Sequence, residues 1–111
     1  MPHLESLEQI QIEDYFVQTF AKKIAELQNP GSKDILKFVK EFTPRKEEIR
    51  VGSLMNIAIR NGLLKTALNL ENPLNEILET NLLAGEIDFK RYFEEKRILF
   101  YQVAAIKRQL L

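Results

Sequence analysis

Side chains capable of covalent or metal chemistry are few in this sequence and poorly placed for it. Nucleophilic catalysis needs a nucleophile with a base beside it, usually histidine. The only histidine is His3, in a terminus expected to fray, and there is no cysteine. With one imidazole and no thiolate, a metal site would have to be all carboxylate. The adjacent pairs Glu47-Glu48 and Glu94-Glu95 point in different directions on a helix, so they read as solvated surface. Asn29-Pro30-Gly31-Ser32-Lys33 echoes the end of a phosphate-binding loop. It lacks the leading glycine and the preceding strand, which leaves a turn followed by a helix cap. The sequence therefore predicts a protein that is not an enzyme and carries no cofactor or metal.

What remains is the chemistry of cations. The formal net charge of +0 hides a segregated chain. Residues 33–65 hold eight bases against four acids, residues 66–88 five acids and no base, and residues 89–111 six bases against two acids. Two positive blocks flank a negative one, and a local field of this kind steers phosphate even when the total is neutral. At 100° per residue, Lys33, Lys37 and Lys40 fall within about 60° of one another, opposite the apolar line of Ile35, Phe38 and Phe42. Lys90, Arg97 and Arg108 align within about 20°, with Tyr101 beside them and Glu94 intruding. A base-and-aromatic ridge suits a sugar-phosphate chain. Each phosphate neutralised adds about −0.7 to −0.9 to the slope of log affinity against log salt. Lysine rows opposite an apolar face are also the ordinary dress of a soluble helix, so the segregation, and not either row alone, carries the expectation. Lys96 and Lys107 point toward the apolar side of the last helix, where snorkelling stems are the ordinary explanation.

The elements that must position these groups are helical. Phe16, Phe20, Ile24 and Leu27 lie on one face of a helix ending at Asn29-Pro30-Gly31, with Ser6 and Gln9 a capping pair for an earlier start. Ser32 is the expected N-cap of a second helix running to Phe42. Thr43-Pro44 stops it and opens a third piece to about Arg50; Gly52-Ser53 breaks the chain again. Leu54 to Leu70 is apolar on several sides, as a central helix would be, and Asn61-Gly62 marks either an end and restart or a close backbone approach. Asn72-Pro73 caps a short helix with Leu74, Ile77, Leu78 and Leu82, ended by Ala84-Gly85. Asp88 caps the last and longest helix, whose seam is Phe89, Phe93, Phe100, Val103 and Leu110. The expectation is one all-α domain over residues 1–111, a compact bundle of five or six helices.

Neither a basic, apolar leader nor an apolar run of about 18 residues is present, so export and membrane insertion are not expected. The lack of cysteine fits a reducing cytoplasm.

Ile59-Arg60-Asn61-Gly62-Leu63-Leu64-Lys65-Thr66-Ala67-Leu68 resembles the I-x-N-G-L-L-x-T-L helix of the small subunit of type III CRISPR effector complexes. Ile98 to Leu111, with Phe100-Tyr101, Ile106 and Lys107-Arg108, is similar to that family's closing helix. The two segments cover 24 of the 111 residues. The chain is short between Leu70 and Asp88, where the family has further helices, and lacks the tryptophan often found near the end; a Cascade-like small subunit fits the length better. The resemblance implies a non-catalytic subunit that stacks in several copies along a guide RNA and holds nucleic-acid backbone. Its partners would be guide RNA, the target or displaced DNA strand, other effector subunits and neighbouring copies. Opposite-sign blocks would allow Glu71 to Glu86 of one copy to meet a basic patch of the next. Of the ten candidate contacts, the bases Arg60, Lys65, Lys107 and Arg108 lie within matching segments, as does Tyr101; Lys33, Lys37, Lys40, Lys90 and Arg97 rest on helix geometry alone. The competing expectation is a helical adaptor or homodimer joined through Phe89, Phe93, Phe100 and Val103, with solubilising lysines and no nucleic-acid role.

Overall fold

In a computed structural model, the backbone is described for residues 4–27, 29–42 and 50–111, and the side chains for 15–27, 29–41 and 50–111. Six helices follow one another among these residues: α1 (Leu4–Leu27), α2 (Ser32–Phe42), α3 (Val51–Arg60), α4 (Leu64–Asn69), α5 (Glu71–Leu83) and α6 (Phe89–Leu110). No strand occurs among the described residues. The fold is the expected all-α bundle. The third piece expected from Thr43 to Arg50 lies almost wholly outside the described residues, as do the side chains of His3, Ser6, Gln9 and Phe42.

The centre is α3, which buries Val51, Leu54, Met55, Ile57 and Ala58 and is packed by α1, α4, α5 and α6. Met55, Leu70, Leu74, Leu78 and Leu99 are almost fully withdrawn from water, each such side chain contributing about 1.5–3 kcal/mol. Phe16, Phe20 and Phe38 tie α1 to α2, with ring centroids 5.3 Å apart for Phe20 and Phe38. Leu27, assigned to the same α1 face, is partly exposed beyond the last buried turn.

Glycine ends two of the helices. After α3, Gly62 takes φ +71° while its N–H reaches Ile59 O and Leu63 N reaches Ala58 O. After α5, Gly85 takes φ +75°, Gly85 N reaches Leu82 O and Glu86 N reaches Asn81 O. Both are paired-bond C-terminal motifs that need the left-handed region, where a Cβ is penalised. Asn61 Nδ2 adds a bond to Ile57 O. The Asn61-Gly62 interruption is thus a helix end and restart.

Several boundaries differ from the sequence reading. Gly52 and Ser53 do not break the chain: they form the first turn of α3. Glycine is needed there because α6 passes close by; a Cβ on Gly52 would sit 2.9 Å from Ile98 Cγ2, and Gln102 Nε2 donates to Gly52 O at 2.9 Å. Ser32 is not the cap of α2. Gly31 O accepts the first helical bond from Ile35 N, Asp34 Oδ2 accepts from Gly31 N, and the Ser32 hydroxyl instead donates to Glu76 Oε2 on α5. Nor does Asn72 cap α5, since the helix begins at Glu71 and Pro73 occupies its first turn, where the missing N–H leaves no bond unmade. At 22 residues α6 is shorter than α1, at 24.

Candidate nucleic-acid interface

Asp88 starts α6 by accepting the Arg91 N–H at 2.8 Å. The inward face is then Glu95, Leu99, Val103 and Ile106, with Tyr92 packed partly against the core. This overturns the expected seam. Phe89, Phe93 and Phe100 are 67%, 61% and 69% exposed, and Leu110 is exposed too; of that set only Val103 is inside. The helix carries two apolar stripes. Tyr92, Leu99, Val103 and Ile106 face the core, and the phenylalanines run along a line about 100° around the cylinder. Both have helical periodicity, and bonds to α3 decide between them.

Those bonds come from two residues the sequence reading did not single out as partners. Glu95, expected on the solvated surface, is 2% exposed; its Oε1 accepts the Val51 N–H at 3.0 Å and its Oε2 accepts Arg91 Nε at 2.9 Å. Arg50, which precedes α3, offers no side-chain cap, so a carboxylate from α6 meets the partial positive charge of that helix start. Gln102 supplies the second bond, to Gly52 O. A legible sign existed: Glu95 is in phase with Leu99, Val103 and Ile106, and Arg91 stands one turn before it.

With that face turned inward, Lys90, Arg97 and Arg108 lie nearly opposite the core and are exposed, as are Lys107 and the 62% exposed Tyr101. Apart from Arg91 with Glu95, no ion pair forms among the described side chains, so no described carboxylate neutralises these bases. Phe89 and Phe93 lie nearly parallel, centroids 6.2 Å apart at 24°, and Phe100 and Tyr101 meet edge to face at 5.9 Å. Lys96 joins the outer edge, its ammonium 2.9 Å from the Tyr92 hydroxyl. That hydroxyl chiefly, with Glu79 on α5 adding, holds the Lys96 pKa above its ordinary value.

The other candidates are exposed but lie elsewhere. Lys33, Lys37 and Lys40 line the outside of α2, which packs on α5, while α6 packs on α3, α4 and α5. Only Lys40 reaches a cleft that α6 also borders, through Arg91 and Glu95. Arg60 ends α3 and Lys65 lies in the first turn of α4, flanking the Gly62 corner. That corner gives Asn61-Gly62 a structural purpose independent of any ligand. The acidic block is partly engaged inside the molecule: Glu76 with Ser32, Asp88 with the start of α6, and Glu79 near Lys96.

The cleft between α2, α3, α5 and α6 is floored by Ile35, Val39, Leu54 and Ile77. Both oxygens of its buried carboxylate, Glu95, are already bonded. Among the described residues, no three His, Cys, Asp or Glu side chains are grouped to hold a metal ion, and no helix is long and apolar enough to cross a membrane. No protein family, curated protein or solved structure matches this chain.

Proposed function

We propose that this chain is a non-catalytic binding subunit that holds a nucleic-acid backbone along the outer face of α6, without reading sequence. The observation that carries the reading is the set of exposed bases Lys90, Arg97, Lys107 and Arg108, none ion-paired with a described side chain, alternating with exposed rings on one helix. Charge neutralisation of phosphates is the chemistry such a row performs. The likeness of Ile59 to Leu68 and of Ile98 to Leu111 to the small subunits of CRISPR effector complexes extends the proposal. The strand held would be guide RNA or the target or displaced DNA, and the place of work a cytoplasmic complex containing further copies. Arg60 and Lys65, on the α3–α4 corner, would contact another stretch of the same polyanion, whereas Lys33, Lys37 and Lys40, on α2, stand apart from α6 and would add little to the hold on a short strand.

The test is fluorescence anisotropy of a labelled 15-nucleotide single strand across a salt series. Four α6 contacts should give a log–log slope of about −3. A slope near zero, or no binding at low salt, overturns the reading.

A second reading is favoured by one observation. Phe89, Phe93 and Phe100 form an exposed apolar line, and such lines mark protein-docking surfaces. A helical adaptor or homodimer would use it, with Val103 excluded because it is buried. Light scattering without nucleic acid separates the two: a tight symmetric dimer that ignores salt supports the adaptor.

A further inference from the structure

Phosphate neutralisation explains the bases of α6 and leaves its rings unexplained. A row of lysine and arginine needs no phenylalanine beside it, and each exposed ring keeps apolar surface in water at a cost. Of the five rings on this helix, Tyr92 packs partly against the core and meets Phe93 edge to face, and the other four are 61–69% exposed. They stand in two pairs, Phe89 with Phe93 and Phe100 with Tyr101. Arg97 lies on the helix between the pairs, and Lys90 and Arg108 lie on the ridge beside them.

We infer that the outer face of α6 is a stacking platform that takes single-stranded nucleic acid in preference to duplex. This rests on the reading of α6 as a phosphate-binding face and adds what the rings do. Base faces in a duplex are covered by their neighbours; in a single strand they are open, and any base can stack on a ring. Eleven residues separate Phe89 from Phe100, about 16 Å along the helix axis. A stacked strand advances about 3.4 Å per nucleotide, so the platform accommodates about five nucleotides. The charge agrees with this occupant. Bases lie along the ridge beside the rings, and the carboxylates nearest this face are Glu94, half-buried on α6, and Glu79 on α5, which faces Lys96.

The experiment measures anisotropy of labelled oligothymidylate of 15 nucleotides and of a 15-base-pair duplex, with the wild type and with Phe93→Leu and Phe100→Leu. Leucine keeps an apolar side chain at each position but removes the ring. Both positions are exposed, so folding, checked by circular dichroism, is expected to be unchanged. The expected result is tighter binding of the single strand, falling about fivefold or more for each ring removed, with duplex affinity unchanged. Equal affinity for both forms, unaltered in the variants, overturns the stacking inference and leaves the phosphate reading standing. Absence of binding to either form overturns both. A self-association that the leucine variants abolish, with oligonucleotide affinity untouched, assigns the rings to a protein contact and also overturns the inference.

Discussion

Helices α2 and α6 both show bases to water, but they do so for different reasons. Among the described side chains of α2 the division is complete: Ile35, Phe38 and Val39 are buried, Lys33, Lys37 and Lys40 are exposed, and no large apolar side chain is left outside. Those lysines are sufficiently explained by solubility. On α6 the core face is filled by Leu99, Val103 and Ile106, yet a second apolar stripe stays exposed among the bases. A charged face alone is ordinary, whereas a charged face mixed with uncovered rings has surface still to bury. The two helices teach that the side chains between the lysines carry more functional information than the lysines themselves.

That contrast can be sharpened on α6 itself. Leu99→Ala, at a position 1% exposed, should cost about 3 kcal/mol in urea unfolding, since it opens a cavity beneath the helix. A loss near zero would mean that the helix presents a different face to the core. Reversing Lys90, Arg97 and Arg108 to Glu should weaken single-strand binding roughly a hundredfold at 0.1 M salt. The same reversal of Lys33, Lys37 and Lys40 should weaken it by less than about threefold, leaving the salt slope nearly unchanged; equal losses would erase the distinction between the helices.

Smaller effects test what orients α6. Glu95→Gln keeps a carbonyl oxygen for Val51 N but removes the ion pair with Arg91, and should lower stability by about 1–2 kcal/mol in thermal unfolding. Gly62→Ala puts a Cβ at φ +71°, where no atom stands within 4 Å of it, and should cost about 1 kcal/mol through backbone strain alone. Least of all, Phe93→Ala should change stability by no more than about 0.5 kcal/mol. A cost comparable to that of Leu99→Ala would show the ring to be part of the core.

Most of the helical architecture was legible from periodicity and punctuation. Asn29-Pro30-Gly31, Asn61-Gly62, Ala84-Gly85 and Asp88 all mark real ends, because each has a local backbone requirement that sequence expresses directly. What was misread depends on neighbours distant in sequence. A glycine such as Gly52 signals a break or a close approach with equal force, and only the position of Ile98 separates them. The two apolar stripes of α6 are equivalent by spacing; Glu95 and Gln102 break the tie through bonds to residues 44 and 50 positions earlier. All ten candidate contacts are exposed, which helical phase predicts for the α2 lysines and for Lys90, Arg97, Arg108 and Tyr101 but not for Lys107, while their distribution over α2, the α3–α4 corner and α6 is a matter of packing that phase does not contain.

The Val51 N–H finds its acceptor 44 residues downstream. During synthesis, α3 therefore emerges with its first amide lacking that acceptor until Glu95 has left the ribosome. Arrival of the last helix is thus what closes the terminus of the central one.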